Sequence, residues 1–119
     1  MNKYKIFVYG SLMRGFPNHN IMYDAKFIKT GITKRDFTLY NLGGFPGMID
    51  KGNNSVVGEV YEVDQTTLRM LDVLESHPDF YKRTPVILKD GTKVQTYILN
   101  DSYIQDHSII KSGDWKNKN

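Results

Sequence analysis

The chain of 119 residues has room for one domain and not comfortably for two, and its 39% hydrophobic and 24% charged residues are ordinary for a globular protein. The lack of cysteine excludes a disulfide framework, a thiol nucleophile and any zinc site built on thiolates. A net charge of +3 is a modest lysine excess, partly carried by Lys111, Lys116 and Lys118 in the polar C-terminal tail, without the dense basic face and aromatic platforms of a nucleic-acid binder.

No apolar run approaches the roughly 18 residues needed to cross a bilayer. Met1-Asn2-Lys3-Tyr4 leads into a strand-like segment and not into the apolar region of a signal peptide. The expectation is a soluble cytoplasmic protein with neither membrane nor nucleic acid as partner. The sequon Asn53-Asn54-Ser55 then reads as chance.

In chain order, Ile6-Phe7-Val8-Tyr9 is a short apolar run that ends at Gly10 and predicts a buried strand. After Gly15 and Pro17, Asn18 is placed to cap a short helix through about Ala25. Residues 27–33 and 35–42 read as two strands around a tight connection. The breakers Gly43, Gly44, Pro46 and Gly47 follow, with Met48-Ile49 a brief strand. Residues 56–63 alternate, placing Val57, Glu59, Tyr61 and Val63 on one side of a strand. Asp64 is a helix N-cap, and Leu68, Leu71 and Leu74 recur at helical spacing through about Glu75. Asp90-Gly91 between residues 86–88 and 94–99 signals a hairpin, with Pro85 confined to an edge or bulge. Residues 112–119 read as a frayed tail that Trp115 could anchor. Many short strands with one or two helices predict an α+β domain over residues 1–119, its sheet strongly curved or barrel-like.

Two places carry chemistry. Gly10 and Gly15 stand five apart after a strand, as in a phosphate-binding loop. Phe16 and Pro17 occupy the positions that require Lys and Ser/Thr, so nucleoside triphosphate binding is rejected. A strand ending in a sharp glycine turn still presents backbone N–H groups that can hold a carboxylate or a developing oxyanion. The alternative is a plain surface turn. Glu75 lies four residues after Leu71 and seven after Leu68, on the apolar stripe at the helix C-terminus. Desolvation and the negative helix end both raise a carboxyl pKa there, which suits proton transfer near neutrality. The alternative is a solvated glutamate at a fraying end, paired with Lys82 or Arg83. Asp72 reads as a salt-bridge partner for Arg83.

Other signals are weaker. His19, His77 and His107 lack metal-ligand spacing, and Ser11 lacks the Gly-x-Ser-x-Gly context of a nucleophile elbow. Met13, Met22, Met48 and Met70 read as core fillers. Tyr81 and Tyr97 are either ligand contacts or core aromatics with satisfied hydroxyls.

Tyr9-Gly10-Ser11-Leu12, Arg14-Gly15 and Asn18-His19 resemble the opening of γ-glutamylcyclotransferase-like proteins, a family that includes γ-glutamylamine cyclotransferases. The likeness continues in order through Phe45-Pro46-Gly47, Gly58-Glu59-Val60-Tyr61, Leu71 to Glu75, Tyr81-Lys82-Arg83, Thr96-Tyr97 and Ser112-Gly113-Asp114-Trp115. One departure is Ser76, where a glycine often follows the glutamate. The resemblance implies a small mixed, mostly antiparallel β-barrel with flanking helices, in a monomer or weak dimer. It implies a substrate pocket at Tyr9, Gly10, Ser11 and Leu12, a catalytic glutamate matching Glu75, and Tyr81 and Tyr97 as pocket walls. The implied reaction is attack of a γ-glutamyl α-amine on its own γ-carbonyl, releasing 5-oxoproline and a free amine. It needs neither metal nor cofactor. The contrasting expectation is a small-molecule binding or interaction domain that keeps the pocket without the reaction.

Overall fold

The computed structural model describes residues 2–118; Met1 and Asn119, the outer ends of the expected domain and of its tail, lie outside the described residues. Eight strands carry the chain: β1 (Tyr4–Val8), β2 (Lys26–Ile32), β3 (Phe37–Asn41), β4 (Pro46–Asn54), β5 (Val57–Val63), β6 (Tyr81–Ile87), β7 (Lys93–Leu99) and β8 (Ser108–Ile109). One α-helix, α1 (Gln65–Leu74), sits between β5 and β6, with short 3₁₀ turns at His19–Met22, Asp101–Tyr103 and Trp115–Asn117. No helix among the described residues is long and apolar enough to cross a membrane.

The strands form one mixed, mostly antiparallel sheet in the order β2-β5-β1-β7-β4-β3-β8, with β6 on the remaining edge of β7. The expected barrel is corrected here, because the sheet does not close. β1 and β4 share an edge of β7, Ile6 pairing with Gln95 and Met48 with Ile98, both in parallel. The sheet therefore branches at β7. Across the gap between β2 and β6 only one bridge forms, Thr33 with Leu88, with Lys89 N–H donating to Ile32 C=O. A ladder cannot extend from there, because Thr33 is already used elsewhere. Its N–H donates to Val56 C=O and its hydroxyl accepts from Val56 N–H.

The same threonine explains a second correction. The segments read as two strands around a tight connection do not pair with each other. β2 lies against β5 and β3 against β4 and β8, because Thr33 ends the β2–β5 ladder and turns the chain away. The brief strand expected at Met48-Ile49 is part of the nine-residue β4. The helix expected after Asn18 shrinks to the 3₁₀ turn, because the Asn18 amide donates to Ser11 Oγ instead of capping it.

Local signals hold where local bonds decide. Asp64 accepts from Thr67 N–H as an N-cap, and Leu68 and Leu71 are buried on the inner face of α1. The hairpin joins β6 to β7 from Ile87–Lys93 to Tyr81–Leu99, with Gly91 at φ +92 and Pro85 in β6, which pairs only with β7. Apolar side chains of β1, β4, β5 and β7 meet α1 in one core that includes Ile6, Phe7, Met48, Val60 and Leu71. Of the four methionines expected inside, Met13, Met22 and Met48 are buried and Met70 is exposed. Near the C-terminus, Gly113 at φ +70 accepts a hydrogen bond from Val57 N–H on its carbonyl, and an added Cβ would lie 1.8 Å from Ser55 O. That close approach lays Trp115 into the core.

Candidate active site

The segment after β1 is folded by its own bonds. Met13 N–H donates to Gly10 C=O, Asn18 N–H to Ser11 C=O, and the His19 ring shares a hydrogen bond with Leu12 C=O at 2.9 Å. Gly10 is required by contact, since a Cβ there would lie 2.6 Å from Pro46 Cγ. Among the described residues, the N–H groups of Ser11 and Leu12 meet no acceptor within the chain.

Glu59 holds this loop from below. Its carboxylate is 1% exposed and accepts from Arg14 N–H at 3.0 Å, the Tyr61 hydroxyl at 2.9 Å and Lys116 Nζ at 3.1 Å. Burial pushes its pKa up, but the bonds from Arg14, Lys116 and Tyr61 outweigh burial and leave it below the usual range. Glu59 was missed as a buried charge, although the signal existed: it interrupts the apolar side of an alternating strand.

The loop borders a cavity of about 360 Å³. Tyr9, Gly10, Ser11, Leu12, Glu75, Tyr81 and Tyr97 all line it. Phe45, Pro46, Leu74 and Phe80 line it too. Phe45 entered only through the resemblance, Pro46 there and as a chain breaker, and Phe80 carried no local signal.

Glu75 is the last residue of the helical turn, its N–H donating to Leu71 C=O at 2.9 Å. Its side chain is half-buried, and among the described residues no ion pair reaches it. The pairing with Lys82 or Arg83 held open above is thus not formed. Arg83 grips Asp72 instead, through Nε at 2.9 Å and Nη2 at 3.1 Å, and extends Nη1 to Gln95 at 2.7 Å. Burial raises the Glu75 pKa from 4.5 to about 7. Asp72, one turn earlier, goes the other way: hydrogen bonds from Arg83 and Tyr97 overcome its burial and hold it low.

The three tyrosines have committed hydroxyls. Tyr9 donates to Tyr97 C=O at 2.6 Å and accepts from Met48 N–H at 3.1 Å. Tyr81 donates to Pro46 C=O, and Tyr97 to Asp72 Oδ1 at 2.7 Å. Burial raises all three phenol pKa values, and the nearby charge of Glu75 adds to each. These rings are rigid walls around one carboxylate. After Glu75 the chain turns at Ser76 with φ +52, a left-handed conformation that explains why glycine suits this position. Among the described residues, no three His, Asp or Glu side chains gather as metal ligands.

Residues 6–117 match the family described as "Gamma-glutamyl cyclotransferase, AIG2-like". A protein of Vibrio cholerae, named only provisionally as a gamma-glutamylcyclotransferase, is 41% identical over 110 residues, covering 92% of this chain and 93% of that one. The gamma-glutamylaminecyclotransferase of Rattus norvegicus is 43% identical over 89 residues, covering 66% of this chain and 59% of that longer protein. The crystal structure of an AIG2-like protein from Mus musculus superposes with a TM-score of 0.77 at 33% identity, over 88% of this chain and 84% of the other. The chain belongs to the AIG2-like gamma-glutamyl cyclotransferase family of enzymes.

Proposed function

We propose that the protein cleaves γ-glutamyl amines or peptides by ring closure, releasing 5-oxoproline and a free amine, with Glu75 as the proton-transfer residue. Family membership supports a γ-glutamyl cyclotransferase activity; the observation that carries the finer reading is an unpaired carboxylate with a pKa of about 7 in the cavity bordered by the loop 10–12. A carboxyl group titrating there is a base strong enough to take a proton from the substrate ammonium and an acid strong enough to return it.

The substrate carries its own nucleophile. Ring closure by the α-amine is intramolecular, so much of the entropic barrier is removed once the bent conformer is held. Ionised Glu75 takes a proton from the α-ammonium, and the free amine attacks the γ-carbonyl to form the C–N bond of the five-membered ring. The carbonyl electrons move onto oxygen and return as the bond to the leaving nitrogen breaks. Glu75 delivers its proton to that nitrogen, the ring nitrogen, cationic after its attack, gives up its extra proton to solvent, and the ionised Glu75 is ready for another turn. The N–H groups of Ser11 and Leu12 are suited to an anion, either the substrate carboxylate or the oxyanion. Tyr9, Tyr81 and Tyr97 restrict the space in which the substrate can bend.

In this reading the partner is a small γ-glutamyl molecule met in the cytoplasm, and neither nucleic acid nor membrane takes part. Incubation with a panel of γ-glutamyl amides, followed by detection of 5-oxoproline and the amine, tests it. Saturable binding of several panel members without turnover would replace it with a binding module.

A further inference from the structure

The cavity has two chemically distinct halves. Its floor is polar in a specific way: Glu75 and the amides of the loop 10–12 lie beside Tyr9, Tyr81 and Tyr97. Its more exposed side carries the apolar Pro17, Phe45 and Leu74, with Phe45 39% and Leu74 38% exposed, beside Gly44 and the half-buried Asn18. Phe80, half-buried, continues this side; its ring centroid lies 6.2 Å from that of Phe45 and 4.6 Å from that of Tyr103. These rings form an aromatic lip that the chemistry at the floor does not use.

The lining is equally defined by its charges. Among the described residues, no Lys, Arg or His lines the cavity, and Glu75 is its one charged residue. The phenols are committed to Tyr97 C=O, Pro46 C=O and Asp72, and the Asn18 amide donates to Ser11 Oγ. Arg83, which meets Tyr97 through Asp72, is engaged by Asp72 and Gln95. One anionic group of a ligand can be met by the loop amides. A second anionic group, on the part of the ligand that lies against Pro17, Phe45, Leu74 and Phe80, would find apolar surface and the like charge of Glu75. Taking a carboxylate out of water without a partner is costly.

We propose that the amine half of the substrate is uncharged and apolar, and aromatic by preference, packing on Phe45 and Phe80, and that γ-glutamyl compounds with a carboxylate on that half are disfavoured. The inference rests on the reading of the reaction given above and names its substrate class. Phe45 and Phe80 are then specificity-determining residues, with the glutamyl half held at the floor and the leaving amine at the mouth.

Three matched compounds test this: γ-glutamyl-phenethylamide, γ-glutamyl-ethylamide and γ-glutamyl-phenylalanine. The first and third differ only by one carboxylate, and the first and second by one ring. Release of 5-oxoproline gives kcat/KM for each. The phenethylamide is expected to exceed both others by about tenfold or more, the range that one pocket contact or one mismatched polar group commands. Phe45→Ala should shrink the advantage over the ethylamide, chiefly through KM. Phe45→Arg should raise γ-glutamyl-phenylalanine relative to the phenethylamide. Because each comparison is a ratio measured on one protein, partial loss of folded enzyme cancels. Equal or better turnover of γ-glutamyl-phenylalanine by the unaltered enzyme, or ratios that neither variant moves, would overturn the inference and leave the reaction itself standing. Absence of 5-oxoproline from all three and from the wider amide panel would overturn the reaction, and the inference with it.

Discussion

Glu59 and Glu75 are two sequestered carboxylates with opposite fates. Glu59 is the more deeply buried, yet its pKa is lowered, because a backbone N–H, a phenol and an ammonium all reach it. Glu75 is less buried, yet its pKa rises to about 7, because burial meets no counter-charge. Burial alone therefore does not make a proton-transfer group; the partners decide. Asp72 repeats the lesson within one helix, since Arg83 and Tyr97 neutralise there the effect that Glu75 retains. The pairing also keeps Arg83 from Glu75, which leaves Glu75 the odd carboxylate of the region.

The comparison breaks most visibly at Glu75. Glu75→Gln is expected to lower kcat by about 10²- to 10⁴-fold, the usual worth of a general acid–base group, with the fold retained by circular dichroism. In the unaltered enzyme log kcat/KM should fall with unit slope below about pH 7 as Glu75 gains its proton. A limb near the ordinary value of 4.5 would mean that Glu75 behaves like a solvated glutamate. Glu59→Ala should act on stability instead. It leaves the Arg14 N–H and the Tyr61 hydroxyl without their acceptor, at a cost of about 3 kcal/mol in urea unfolding.

The pH dependence of stability sharpens the contrast further. Glu75 titrates near 7 in the folded chain and near 4.5 when unfolded, so between these values the folded state binds more protons. Its contribution is therefore fully present below about pH 4.5 and is lost as pH rises through about 7. Glu75→Gln removes that loss, and the variant should gain on the order of 2 kcal/mol relative to the unaltered protein at pH 8 over their difference at pH 4. The smallest effect is expected next door. Ser76→Gly relieves a left-handed serine and should add about 1 kcal/mol, seen as a rise in melting temperature. No rise would mean that the serine is held there at no cost.

Much of the site was legible because its clues are short-range. Leu68 and Leu71 locate the stripe on which Glu75 falls, and Gly10 marks the strand-ending turn that Tyr9 to Leu12 occupy. Glu59 yields to the same test at period two: it shares a strand side with Tyr61 and Val63, and all three are buried. It passed unnoticed because a charged residue in a strand usually faces water, and β5 is covered on both edges by β1 and β2. Phe80 was invisible for a different reason. An aromatic in a turn says nothing about which cavity it borders.

The amino-acid order by itself determined the helix with its Asp64 cap, the Asp90-Gly91 hairpin and the mixed strand content, because each depends on bonds or side-chain periods within a few residues. It also set the expectation of an acidic group on an apolar face. Only the tertiary structure decided that the sheet branches at β7 and stays open, because closure depends on which edge each strand finds. It also decided which carboxylate is neutralised. Glu59 draws Arg14 from 45 positions away and Lys116 from 57, and such pairings follow from packing that no local pattern encodes.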